Sequence, residues 1–191
     1  MLPDTIGGLP LHPLIVHFVV VLLPIASLGA LLSAVWPAVR RRFGWLTVLA
    51  AAVAAALVPV ATMSGENLVT GLGGSNPLID KHQQLADMMI YWAGGLFVAV
   101  ALLMILHSAS ERQKKATADN EFEGSPFDEG SVDGGQVATA TRTKPSAGVT
   151  VGVVLMALVT VGAAVGTGIH IYRVGDAGAR TVWQDVGENL K

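Results

Sequence analysis

The chain contains no cysteine, and this absence removes several classes of site at once. It excludes disulfide bonds, thiolate zinc sites and iron–sulfur clusters held by this chain. It also excludes covalent c-type haem, which is attached through a Cys-x-x-Cys-His motif. Any metal ion or haem must therefore be held by His, Met, Asp or Glu side chains.

Charged residues are also scarce. They make up 14% of the 191 residues, whereas a soluble domain carries about a quarter. The net charge of −2 supplies no basic field, so nucleic acid is excluded as a partner. No phosphate-binding Walker loop and no serine nucleophile elbow is present. The first residues lack the positive charge of a secretory signal, and we expect no cleaved targeting segment.

The apolar residues are concentrated in four long runs, 14–36, 45–63, 88–106 and 149–171. Each is long enough to cross a bilayer core of about 30 Å as a helix. Small residues at helical spacing allow close helix packing in lipid; they are Ala26, Ala30 and Ala34 on the first run and Gly162 and Gly166 on the fourth. No internal repeat is evident. The sequence predicts an all-α integral membrane four-helix bundle whose immediate partner is the lipid bilayer.

The organisation is that of one bundle domain with one long interruption. Residues 1–107 hold the first three transmembrane helices, and Asn76-Pro77 is typical of the cap and first residue of the third. Residues 108–148 are rich in Gly, Ser, Thr, Asp and Glu, so we predict a mostly disordered cytoplasmic loop. Residues 149–191 hold the fourth helix and an outer tail with a short amphipathic helix.

The positive charges predict the orientation of the bundle. One side receives Arg40, Arg41 and Arg42 after the first helix, and a second basic group after the third, comprising Arg112, Lys114, Lys115, Arg142 and Lys144. The other side holds only Lys81, Arg173, Arg180 and Lys191. We therefore expect the triple-arginine loop in the cytoplasm and both termini outside.

With that orientation, every helix brings a polar, potentially ligating residue to the outer end: His12, His17, Glu66, His82 and His170. His17 lies about one turn inside an apolar run, where a polar side chain usually faces the bundle interior and has partners. We therefore favour His17 over His12, which precedes Pro13 and is suited to capping the helix. His107 is alone at the inner end, and we interpret it as an interfacial residue.

The leading interpretation of this cluster is a haem b site. Two neutral imidazoles from different helices can hold haem iron axially, and His17 with His82 or His170 is the favoured pair, with His12 a further candidate. Arg173 or Arg180 would neutralise a propionate. The protein would then be an electron-transfer or membrane-anchor component with a redox partner protein at the outer face, and not an enzyme by itself.

Two alternatives remain open. His12, His17, Glu66, His82 and His170 also form the imidazole-plus-carboxylate set that suits a single Zn, Fe or Cu ion, which could serve a metal-dependent membrane enzyme. The third interpretation is a structural accessory subunit of a membrane complex. In that case the polar groups would lock the helix ends together, with Asp87 paired to Lys81 or Arg173.

Three motifs carry a resemblance to a known family. They are His12-Pro13-x-x-Val16-His17-Phe18, Ser64-Gly65-Glu66, and a closing segment with Gly168, His170, Tyr172, Arg173, Gly175, Gly178, Ala179 and Trp183. The chain resembles the bacterial four-helix membrane proteins classed as domain of unknown function 2231. The resemblance implies a bacterial inner-membrane location. Because some members are joined to Rieske-type domains, it also implies a haem or electron-transfer role involving His12, His17, Glu66 and His170.

Overall fold

The computed structural model describes residues 5–71, 73–123 and 147–189. Two short strands, β1 (Thr5–Ile6) and β2 (Leu9–Pro10), pair antiparallel ahead of the first helix. Four helices follow: α1 (Leu11–Val35), α2 (Pro37–Gly71), α3 (Pro77–Glu123) and α4 (Ala147–Asn189). All four helices are long and apolar enough to cross a membrane. The prediction of an all-α membrane bundle is therefore confirmed. The sequence did not indicate the short hairpin formed by β1 and β2.

The connection between α1 and α2 is shorter than predicted. Only Trp36 separates the two helices, and Pro37 begins α2, where its missing N–H leaves no bond unmade. The predicted triple-arginine loop is therefore wrong, because these three residues form the first turns of α2. Arg40 instead bonds back to the end of α1: its Nε donates to Ser33 O and its Nη2 to Ala34 O, both at 2.7 Å.

The turn between α2 and α3 has the bonding of a Schellman motif. Gly73 N donates to Thr70 O at 3.3 Å and Gly74 N to Val69 O at 3.2 Å. Both glycines have positive φ, 92° and 128°, which a residue with a Cβ rarely adopts. The predicted cap of α3 is confirmed, since Asn76 Oδ1 accepts from the backbone N–H of both Leu78 and Ile79 at 3.0 Å.

Two helices continue beyond their predicted ends. α3 runs to Glu123, although the sequence predicted disorder from residue 108. Residues 111–116 of this extension are all strong helix formers, and Lys114 pairs with Glu111 at 2.8 Å, which favours helix at this spacing. The rest of the predicted loop, 124–146, lies outside the described residues. α4 likewise continues without a break past residue 171 to Asn189, so the predicted short tail helix is part of α4.

The helices form a ring in which α1 and α3 lie diagonally opposite each other. α1 packs mainly on α2, and α3 mainly on α4, while α2–α3 and α1–α4 contacts close the ring. The starts of α1 and α3 therefore meet the ends of α2 and α4. We call this the histidine end, defined by His12, Glu66, His82 and Val174, and we call the opposite end, with Arg40, Arg41, Arg42 and His107, the arginine end.

The two hairpins, α1–α2 and α3–α4, bury side chains at equivalent positions. In α1 the buried series is Val19, Leu23, Ala26 and Ala30, and in α3 it is Met89, Ala93, Leu96 and Val100, with the same intervals. In α2 it is Thr47, Ala51 and Ala54, and in α4 it is Thr160, Ala164 and Thr167. Thr47 and Thr160 each donate to the carbonyl four residues earlier. The two hairpins therefore share one pattern of buried positions, here called the internal duplication, although their side chains do not repeat.

Candidate functional site

A cavity of about 580 Å³ lies at the histidine end and is lined by all four helices. Most of its wall is aliphatic, and its polar lining comprises His12, Thr62, Glu66, His82, Gln83, Asp87 and Thr181. The predicted convergence of polar residues from different helices on one end is thus found, with His12, Glu66 and His82 around one cavity. Sites for small molecules and cofactors have this character, a concave apolar space of about 300–1,000 Å³ with a few polar groups.

His12 reaches the cavity from the start of α1 and is fixed against α2. Its Nδ1 lies 2.9 Å from Ala61 O and 3.2 Å from Ser64 Oγ, and the Ser64 hydroxyl itself donates to Ala61 O at 2.9 Å. The ring packs on Gly65, where a Cβ would lie 2.9 Å from His12 Cε1. Since a carbonyl only accepts hydrogen bonds, Nδ1 carries the proton and Nε2 is left as an acceptor.

His82 is held in the same way on the opposite hairpin. Its Nδ1 donates to Val174 O at 3.1 Å, and its ring packs on Gly178, where a Cβ would lie 3.0 Å from His82 Cε1. Val174, which supplies the carbonyl, precedes Gly178 by four residues, just as Ala61 precedes Gly65. His82 Nε2 is therefore also left as an acceptor.

These two His–Gly units extend the duplication seen in the core to the cavity. Each unit consists of a histidine from the first helix of a hairpin, a backbone carbonyl of the second helix and the glycine one turn later. Because α1 and α3 are diagonal, the two imidazoles approach the cavity from opposite hairpins. Both residues line the same cavity.

The cavity also carries two carboxylates, Glu66 and Asp87, and its lining includes no lysine or arginine. Both side chains are exposed. Within the described ranges, the ion pairs are Lys114–Glu111 and Arg180–Asp176, so neither cavity carboxylate has a salt-bridge partner. The described residues contain no group of three or more His, Asp or Glu placed to hold a metal ion.

The comparisons with known proteins agree with this architecture. The model of a family described as "Predicted membrane protein (DUF2231)" matches residues 8–190. The chain belongs to the DUF2231 family. No curated protein and no solved structure matches it. This match confirms the family resemblance that the three sequence motifs indicated, and it covers nearly the whole chain.

His17, the residue favoured from the sequence, does not face the cavity of this DUF2231 protein. Its side chain is exposed, and its Nδ1 lies 2.5 Å from Pro13 O in its own helix. The prediction that it faces the bundle interior is wrong, for a geometric reason. Five residues along a helix correspond to a rotation of about 140° from His12, so His17 is turned away from Ala61 and Gly65, the residues that His12 contacts.

His170 is buried, and its side chain makes its contacts within the α3–α4 hairpin. Its Nε2 donates to Leu85 O at 2.8 Å, and its ring stacks on Trp92 with centroids 5.8 Å apart. Trp92 in turn packs on Gly166 and accepts from Thr167 at its carbonyl oxygen, 3.1 Å away. His170 is not among the residues that line the cavity, and these contacts join α3 to α4.

The predicted cationic residues also lie away from the cavity. Arg180 is exposed and bonds in two places to Asp176, with Nε–Oδ2 at 2.9 Å and Nη2–Oδ1 at 3.2 Å. Arg173 is exposed and does not line the cavity. The pairing of Asp87 with Lys81 or Arg173, expected for a structural subunit, is absent from the ion pairs of the described residues.

The two glycines of the His–Gly units are the residues that the sequence reasoning did not place in the site. Gly65 and Gly178 appeared in the motifs, but their contact with the rings depends on helix rotation. We expect Gly65→Ala and Gly178→Ala each to destabilise the protein by about 1–3 kcal/mol, because the added methyl overlaps a ring that its Nδ1 bond holds in place. Reversible unfolding in detergent would measure this.

Gly168→Ala is the matched control for those substitutions. Gly168 is in α4, and a Cβ there meets no atom within 4 Å. Alanine is favoured over glycine in a helix by up to about 1 kcal/mol, so this variant should be neutral or more stable. Equal destabilisation by all three substitutions would contradict the specific ring contact.

Proposed function

We propose that this protein binds haem b between His12 and His82 at the histidine end of the bundle, as an electron-transfer or anchoring component of the membrane. The observation that carries the proposal is the pair of equivalent His–Gly units on opposite hairpins. Bis-histidine ligation of haem would need one imidazole on each side of the ring. Two imidazoles directed from opposite sides into one cavity meet that requirement.

The residues fit the group in their hydrogen bonding as well. A histidine that ligates a metal normally donates its other ring N–H to a carbonyl, carboxylate or water, which fixes the ring and raises ligand basicity. His12 and His82 both make this bond to a backbone carbonyl, at 2.9 and 3.1 Å. The aliphatic wall, with Val16, Val58 and Ile171 among its residues, suits a porphyrin.

If His12 and His82 both held haem, the group would supply one-electron transfer. No position is then open for a substrate at the iron, which favours electron transfer over catalysis. This agrees with the view that the chain is not an enzyme by itself. A redox partner protein would exchange electrons at the histidine end.

A single Zn, Fe or Cu ion is the second candidate, and the two cavity carboxylates favour it. His12, His82 and Glu66 are the three sequence-predicted ligands that line the cavity. A protein site for such an ion usually has three or four ligands. Since no such group is preformed in the described part of the chain, a side chain would have to move on binding. Haem requires only the two imidazoles.

An absorption spectrum of the purified full chain tests the proposal. We expect a Soret band, as isolated or after addition of ferric haem, that shifts on reduction with dithionite and has the low-spin form of bis-imidazole ligation. Stoichiometric zinc, iron or copper without a Soret band would support the ion site. If the protein bound neither haem nor metal, before or after their addition, both binding proposals would be contradicted and the structural-subunit interpretation would remain.

We also propose that the histidine end faces outward across a bacterial inner membrane, since the arginine end holds the cluster that favours the cytoplasm. The cysteine-free chain makes this directly testable. A cysteine replacing exposed Ser75 should react with a membrane-impermeant thiol reagent in intact cells, whereas one replacing exposed Lys115 should react only after lysis. The reverse pattern would contradict the orientation.

A further inference from the structure

The lining of the cavity has acidic residues but no lysine or arginine, and the fold does not explain this imbalance. These acidic residues are Glu66 and Asp87. The other acidic residues described at this end are engaged: Asp80 accepts from Ser75, and Asp176 is bound by Arg180. No side-chain hydrogen bond or ion pair is found for Glu66 or Asp87 within the described ranges.

The corresponding positions of the internal duplication carry no carboxylate. In the equivalence that relates Gly65 to Gly178, Glu66 corresponds to Ala179. In the equivalence that relates His12 to His82, Asp87 corresponds to His17. Both hairpins retain the histidine, the carbonyl and the glycine, but the carboxylates are present on α2 and α3 only. The two negative charges are therefore not part of the pattern that the hairpins share.

We propose that Glu66 and Asp87 are electrostatic tuning residues that lower the reduction potential of the group held between His12 and His82. The proposal rests on the haem function argued above. Reduction of ferric haem by dithionite transfers one electron to the iron, and no bond forms or breaks. Because the positive charge of the centre falls in that step, nearby negative charges favour the oxidised state.

Both carboxylates are exposed, which makes them suitable for substitution. Glu66→Gln and Asp87→Asn remove one negative charge each and retain the shape of the side chain, so folding and haem binding should persist. The matched control is Asp80→Asn, which removes an exposed carboxylate from the same helix as Asp87 without altering the cavity lining.

Equilibrium redox titration of the haem-loaded full chain in detergent provides the measurement. We expect the potential to rise in Glu66→Gln and in Asp87→Asn, by up to about tenfold in the equilibrium constant for reduction, equivalent to roughly 59 mV for one electron. The Asp80→Asn potential should stay at the wild-type value. The rise should diminish as ionic strength increases, because salt screens exposed charges.

The possible results separate this inference from the proposed function. If the wild-type chain binds no haem, the proposed function and the tuning role are both overturned. All variants could show the wild-type Soret band while Glu66→Gln and Asp87→Asn have the same reduction potential as Asp80→Asn and the wild type. That result would overturn the tuning role alone. A salt-sensitive rise confined to the two cavity variants supports it.

Discussion

Replacing either His12 or His82 with alanine is expected to remove bis-histidine haem binding. If haem binds as proposed, each substitution would remove one of its two protein ligands, since the described structure places no other histidine on the cavity wall. The loss in affinity should exceed the roughly 10- to 100-fold that loss of an outer-shell partner costs a metal site. Titration with ferric haem, followed through the low-spin absorption bands, would measure it.

His17→Ala is the decisive control for this prediction. His17 is on the same helix as His12 but is exposed and bonded to Pro13 O, so its loss should leave haem affinity unchanged. His170→Ala is expected instead to reduce stability, through loss of the Leu85 hydrogen bond and the Trp92 stack. Loss of haem in His17→Ala with retention in His12→Ala would contradict the assignment of the axial pair.

His12 and His17 show which features of the site can be predicted from the sequence and which cannot. Hydropathy and charge identified four helices and the end at which the histidines would gather, because these depend on properties averaged over about 20 residues. The choice between the two histidines depends on the rotation of α1, which is set by packing against α2 and α4. Depth within the apolar run favoured His17, but rotation directs His12 inward.

The internal duplication was hidden from the sequence for a related reason. Equivalent core positions carry different side chains, as in the pairs Leu23–Ala93 and Ala26–Leu96. Their shared property is burial at matching intervals, which becomes visible only when the helix faces are known. Gly65 and Gly178 are identical in both halves, but their role requires knowing that a ring lies on each of them.

The arginines at the start of α2 show that a run of charge does not by itself indicate a loop. A row of arginines indicates which side of the membrane a segment lies on, but arginine is also a good helix former. Here the helix resumes at Pro37, and Arg40 is 7% exposed. Its guanidinium satisfies two carbonyls in the last turn of α1, where such groups have no partner within their own helix.

Arg40→Ala is therefore expected to be the most destabilising single change at the arginine end. It removes two hydrogen bonds of 2.7 Å from a charged donor and leaves Ser33 O and Ala34 O without their partner. An unsatisfied buried group costs about 1–3 kcal/mol, so we expect a loss of about 2–5 kcal/mol in the free energy of unfolding. Reversible denaturation of the purified protein in detergent would measure this loss.

Two further variants separate the geometry of Arg40 from its charge. Arg40→Lys keeps the charge, but a single ammonium lacks the planar fork that bonds two adjacent carbonyls, so it should recover only part of the stability. Arg41→Ala removes a neighbouring exposed arginine and should change stability by no more than about 0.5 kcal/mol. If Arg40→Ala were as mild as Arg41→Ala, the guanidinium would not be what secures the junction of α1 with α2. Full recovery in Arg40→Lys would assign the effect to charge alone.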